Sequence, residues 1–335
     1  MIQINRLTRR IALMLGLALS AAGAAQAAGE VGTTFPTGFT PPNDASLGVA
    51  VIGFGGAGPV QRTPVIFLHG NGGTPYSDAT TCASFGANIR GMAQHFADNG
   101  YNLSELWALG YQGTQCEADP VSGFMVPAYN SSLAHTHAAN VPDLRAFVAA
   151  VMRYTGAGEV DIVAHGMGVT LAREWVRQDR ARKLVRKFVA IEGPNQGTLI
   201  CSPANDNHWK LAFSGGFTPN SPVCQEIGSP NTPFLKLLNK AVDGNRITPS
   251  DVLVIRNGDA SFLFMPWADG LVAGVPSIDS YAVPTDFTYS ASIRGGQEIT
   301  LTGQHGYDTT LGTAHVGIAN SPITWQAAMT FLAKR

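Results

Sequence analysis

The segment Val160-Asp-Ile-Val-Ala-His-Gly-Met-Gly-Val-Thr-Leu-Ala172 carries the strongest chemical signal in the chain. An apolar run ends at a small residue, turns through His165-Gly166-Met167-Gly168 and passes directly into a helical pattern. A strand–turn–helix of this kind lifts its tip residue above the edge of a sheet, where a nucleophile stands. The turn is so tight that the positions two before and two after the tip must be small, and these are Ala164 and Gly168. The tip is Gly166. Glycine accepts the strained backbone of such a tip but has no group that attacks a carbonyl. A nucleotide-binding loop fits less well, because the G-x-G-x-x-G fingerprint is absent. His165, beside the tip, is expected to pack or hydrogen-bond under the turn. His135 and His137 form a His-x-His pair with no evident third ligand, so they read as surface residues at a helix start.

The elements that must position this turn follow from hydrophobic periodicity. Apolar runs at Pro64–Leu68, Leu106–Leu109, Val160–Ala164, Lys187–Ile191 and Val252–Ile255 predict short buried strands, with a weaker one at Glu298–Leu301. Helical spacing appears at Phe85–Asn99, Val141–Tyr154, Val169–Arg177 and Trp325–Leu332. Strands alternating with helices predict an α/β fold with a mostly parallel sheet covered on both faces. Residues 28–60 are rich in Gly, Pro and Thr and read as a loosely structured lead-in. The rhythm breaks over 201–249, where Pro203, Pro219, Pro222, Pro230 and Pro233 fall among loops and leave one short helical patch, Phe234–Asn239. This stretch reads as a cap inserted at the sheet's C-terminal edge of a single domain spanning 28–335. Aromatic residues at Trp209–Phe217 and Phe262–Trp267 suit either an apolar cleft or ordinary packing, as do Trp107 and Tyr111.

Composition narrows the function classes. With 45% hydrophobic and 13% charged residues in 335, a large core is expected and disorder is not. Arg6, Arg9 and Arg10 precede an apolar stretch, Ile11–Leu19, and an Ala25-Gln26-Ala27 cleavage site, so 1–27 reads as a secretory signal peptide. Its removal takes three positive charges from a chain of net charge −1. The mildly acidic remainder, without a basic stripe, points away from nucleic acid. No later segment reads as a membrane span. Cys82, Cys116, Cys201 and Cys224 all follow the signal, and an even count in an exported chain suggests two disulfides. The pairing Cys82–Cys116 with Cys201–Cys224 is favoured, since each pair brackets a long loop-rich insertion. Neither a metal site nor a cofactor motif is evident.

Several separated motifs, in order over about 63–332, resemble bacterial class 2 lipases and secreted esterases of the α/β-hydrolase fold. They are Tyr154-Thr-Gly-Ala-Gly-Glu-Val160 before the turn, Glu192-Gly-Pro-Asn-Gln-Gly-Thr198 after the next strand, and Thr232-Pro-Phe-Leu-Lys-Leu-Leu-Asn239. His69-Gly-Asn-Gly72 resembles the oxyanion-hole turn of these enzymes and of an extracellular polyhydroxyalkanoate depolymerase. The resemblance implies a Ser-His-Asp acyl-transfer site acting on an ester, lipid or polyester. It implies oxyanion donors at the backbone N–H groups of Asn71 and Met167. It implies an acid after the strand at 252–255, best matched by Asp269 in Trp267-Ala-Asp-Gly-Leu-Val272, with Asp259 as the alternative. The base implied is His315, in Thr313-Ala-His-Val-Gly-Ile-Ala-Asn-Ser-Pro322, while His305 reads as a loop residue. The family pattern departs at one residue, Gly166, where it requires serine. Three readings stay open: an esterase carrying an engineered or mutational Ser-to-Gly change (one base separates AGC from GGC), a native pseudoenzyme that binds without cleaving, and hydrolysis by a water that His315 activates.

Overall fold

The computed structural model describes residues 29–43, 51–76, 87–111, 117–118, 125–126, 135–198, 201, 221–240, 251–258, 260–261, 271–272, 290–307 and 314–334. Seven strands form the main sheet: β1 (Ile52–Phe54), β2 (Val65–Leu68), β3 (Leu106–Gly110), β4 (Val160–His165), β5 (Val185–Ile191), β6 (Val252–Asn257) and β7 (Gln297–Leu301). They lie in the order β1-β3-β2-β4-β5-β6-β7. Only β1 runs antiparallel, and the other six are parallel. The α/β architecture expected from the sequence is therefore present, with the addition of β1 inside the supposedly loose lead-in. Val31, Phe39, Val51 and Phe54 of that segment are buried, which explains why it is ordered against the core.

The sheet is two-sided because its strands are apolar on both faces. On β2, Ile66 and Leu68 enter one apolar cluster, while Val65 and Phe67 enter the other. The first cluster is closed by α2 (His137–Thr155) and α3 (Met167–Asp179), through Leu144, Phe147, Trp175 and Val176. Trp107 belongs to it as core, against Phe39 and Tyr154. The second cluster is closed by α1 (Ile89–Asp98), α6 (Ala314–Asn320) and α7 (Pro322–Ala333), through Met92, Phe96, Ile318 and Phe331.

Between β5 and β6 the structure describes two helices, α4 (Pro222–Ile227) and α5 (Pro233–Lys240), where the sequence suggested one. The first was hidden because it is six residues long and proline-initiated. Pro222 at a helix start lacks only an N–H that would have no intrahelical partner, and Ser221 caps the turn by accepting from the Cys224 N–H. Cys201 and Cys224 are joined, with Cα atoms 5.5 Å apart, as the spacing suggested. Cys82 and Cys116 lie outside the described residues. Among the described residues, no helix is long and apolar enough to cross a membrane.

Candidate active site

Parallel pairing brings the C-terminal ends of the strands to one edge. Leu68 faces Ala164, His165 faces Ile191, and Ile191 faces Ile255. At this edge β4 turns through Gly166 into α3 with φ 53° and ψ −128°. The Gly166 N–H donates to the Ile191 carbonyl at 3.0 Å, and its carbonyl accepts from the Val169 N–H at 3.0 Å. A side chain here would be strained, since φ lies in the region that favours glycine. The need for a small residue at 168 is steric: a Cβ there would stand 2.5 Å from the His69 carbonyl oxygen and 3.0 Å from Leu68 Cβ. The turn anticipated from the sequence is thus formed, tip included.

Two remote segments converge on the tip. A Cβ at position 166 would lie 3.2 Å from Gly70 Cα and 3.2 Å from His315 Nε2. The base candidate therefore points at the place where a nucleophile's side chain would begin, and the His69–Gly72 turn forms the opposite wall. His315 sits in the first turn of α6 and is half-buried. Its backbone is anchored by His165, whose Nε2 is 3.0 Å from the His315 carbonyl, and the two rings lie 4.4 Å apart. A carbonyl only accepts, so His165 Nε2 carries the proton. His165 thus packs and hydrogen-bonds beneath the turn, as expected. His305 lies exposed on a short helical turn, Gln304–Tyr307. Asp269 and its alternative Asp259 lie outside the described residues.

The wall beside Asn71 is built from histidines. His69 stacks on Tyr111 with ring centres 4.2 Å apart. Its Nε2 accepts from the Tyr111 N–H at 3.3 Å, so Nδ1 carries the proton and donates to the Gly70 carbonyl at 2.7 Å. Tyr111 returns a hydroxyl bond to the His69 carbonyl at 2.9 Å. Full burial lowers the His69 pKa to about 4, which keeps this ring neutral. His135 donates from Nδ1 to Asn71 Oδ1 at 2.7 Å. Its pKa is also lowered to about 4, by burial first and by the proximity of His69 second.

His135 and His137 do stand at a helix start, with Thr136 as N-cap, but they are not surface residues: their relative exposures are 1% and 0%. His137 meets Glu226 of α4 at 2.7 Å through Nδ1, and its N–H donates to the same carboxylate at 2.9 Å. Its Nε2 lies 2.8 Å from Thr170 Oγ1, whose hydroxyl donates to the Met167 carbonyl at 3.0 Å. Sequence reasoning missed these roles because the partners are far away along the chain. The only available signal was two histidines flanking a threonine cap. Among the described residues, no group of three His, Cys, Asp or Glu side chains is placed to hold a metal ion.

Met167, the first residue of α3, packs its side chain into a third cluster with Val223, Cys224, Ile227, Leu235 and Leu238. The α4–α5 unit therefore rests on the elbow's own helix. Arg173 extends this contact, donating to Asn195 Oδ1 at 2.5 Å and to Asn239 Oδ1 at 2.9 Å.

Among solved structures, the chain is similar to the mature lipase BlEst2 of Bacillus licheniformis, at 14% identity and a TM-score of 0.49, over 82% of this chain and 96% of that one. It is similar to the naproxen esterase of Bacillus subtilis at 11% identity and a TM-score of 0.43, over 84% of this chain and 87% of the other. Est1E of Butyrivibrio proteoclasticus matches at 12% identity and a TM-score of 0.41, over 86% and 97% respectively. Residues 62–247 match the family described as Lipase (class 2), a span that runs from β2 through the elbow to α5. With its sheet order, its elbow and this match, the chain belongs to the class 2 lipase family of α/β-hydrolases.

Proposed function

We propose that this chain is an exported carboxylic ester hydrolase scaffold, silent or nearly so as it stands because Gly166 occupies the nucleophile position. In this reading Asp269 is the acid, His315 the base, and the N–H groups of Asn71 and Met167 the oxyanion donors. The carrying observation is the 3.2 Å between a Cβ at position 166 and His315 Nε2, at an elbow with φ 53° and ψ −128°. A serine placed there would present its hydroxyl to the imidazole. His315 would take the hydroxyl proton as oxygen attacks the ester carbonyl, and the oxyanion would form against backbone donors that need no particular side chain. The same proton would pass to the departing alcohol, and water would then release the acyl group. The Cys201–Cys224 disulfide and the basic, apolar N-terminus support export. The cap at 201–249 is proposed to shape an acyl pocket for ester, lipid or polyester.

The test is Gly166→Ser assayed on short p-nitrophenyl esters. Removing a nucleophile costs serine hydrolases about 10⁶-fold in kcat, and about 10³–10⁴-fold over water remains. Restoring it should raise kcat/KM by at least about 10³-fold. His315 and the Gly70 backbone, each 3.2 Å from the new Cβ, must yield by a few tenths of an ångström to admit it. A serine variant that binds ester but does not turn it over would favour the binding-protein reading. Turnover by the glycine chain with a clean imidazole pH profile and no acyl intermediate would favour the water route.

A further inference from the structure

The buried His135-Thr136-His137 motif has no assigned part in ester chemistry. Its two rings diverge from the start of α2 and reach the two segments that flank the tip. His135 holds Asn71 through Oδ1 at 2.7 Å. His137 holds Thr170 at 2.8 Å, and Thr170 in turn holds the Met167 carbonyl at 3.0 Å. One helix terminus thus touches both segments read as oxyanion donors, one directly and one through a hydroxyl. Thr136 fixes that terminus by accepting from the Ala139 N–H at 3.2 Å. Glu226 closes it from α4 with two bonds to His137, and Phe234 of α5 covers the ring at 4.4 Å.

We infer that His135 is a positioning residue for the oxyanion hole, with His137 as its counterpart on the Met167 side. The inference rests on the reading of Asn71 and Met167 as donors. The Asn71 side chain bonded to His135 orients the turn that carries the Asn71 N–H. An oxyanion donor displaced by about 1 Å loses most of its value, because stabilisation is geometric. The partner of Asn71 Oδ1 must be a fixed donor, and a buried imidazole with its proton on Nδ1 supplies one with a single rotatable ring. Asparagine places an amide nitrogen where His Nδ1 stands, so His135→Asn should keep the bond, whereas His135→Ala removes it.

Two measurements test this. In the Gly166→Ser background, His135→Ala should lower kcat by about 10- to 100-fold with KM held within about twofold, and His135→Asn should recover most of the loss. In the chain with Gly166 retained, amide hydrogen exchange at Asn71 should accelerate at least tenfold in His135→Ala and stay near the parent value in His135→Asn. The exchange arm needs no turnover, so it reads the positioning role even if the serine variant proves inactive and the esterase reading falls. The inference is overturned if Asn71 exchange does not respond to His135→Ala, if His135→Asn behaves like His135→Ala, or if kcat and KM change together.

Discussion

The two edges of the sheet bury polar groups in different ways. At the C-terminal edge two imidazoles, His69 and His135, are buried and satisfied by a carbonyl, an amide oxygen and an N–H, while His137 beside them meets the Glu226 carboxylate. At the N-terminal edge the groups are charges. Asp161 on β4 accepts from Arg186, and the Lys187 N–H donates to it at 3.1 Å. Arg186 also donates to the Leu332 carbonyl at 2.8 Å, and Lys187 Nζ to the Phe331 carbonyl at 2.9 Å, which places two cations on the last carbonyls of α7. At the first edge the rings at 69 and 135 fix the turn that carries Asn71. The other locks the closing helix to the sheet. This contrast supports the proposal that chemistry belongs to the C-terminal edge.

Breaking the ionic edge should give the largest stability change. Arg186→Met leaves Asp161 buried beside a lost partner, and unfolding in urea should show about 3 kcal/mol less stability. Esterase activity in the serine variant should fall only through the folded fraction. Replacing both Cys201 and Cys224 by serine should cost about 2–3 kcal/mol by releasing a modest loop, a loss visible as a lower Tm. Because that bond lies in the cluster that holds Met167, this change should also weaken activity in the serine variant.

Acid separates the edges by sign. His69 and His135 have folded pKa values of about 4 against 6.5 unfolded, so the unfolded chain binds more protons between those limits. Their contribution is complete above pH 6.5 and is lost as pH falls toward 4, at up to about 1.4 kcal/mol per pH unit for each ring. Asp161 acts in reverse. Burial outweighs its Arg186 and Lys187 contacts and pushes its carboxyl from 3.8 up to about 6, so its contribution is present below 3.8 and lost as pH rises through 6. Equilibrium unfolding from pH 7 to 4 should therefore show a shallower acid loss for His135→Asn and a steeper one for Asp161→Asn. Equal slopes in all three chains would remove the contrast. The smallest effect expected is at the tip itself, where Gly166→Ser should cost about 1 kcal/mol for placing a side chain at φ 53°.

Much of this was legible in the sequence where the signal is local. The strand-to-helix turn at 160–172, the small residues at 164 and 168 and the parallel α/β order follow from adjacent residues, and all are present. The strand Ile52–Phe54 escaped notice because three residues among glycines carry no periodicity, and its partner β3 supplies the order. The burial of His135 and His137 was illegible for another reason. Their partners Asn71 and Glu226 come from remote segments, and no pattern within α2 points to either. Polar networks of this kind are set by topology, whereas elements are set by spacing.

In the proposed reading, one hydroxyl separates this site from a working esterase. The direct measurement is intact-protein mass spectrometry of Gly166→Ser mixed rapidly with p-nitrophenyl butyrate, beside the same variant carrying His315→Ala. A butyryl adduct on Ser at position 166, formed with a nitrophenolate burst near one equivalent per chain and absent when His315 is replaced, is the expected result. A folded serine variant that acquires no acyl adduct and releases no burst would contradict it.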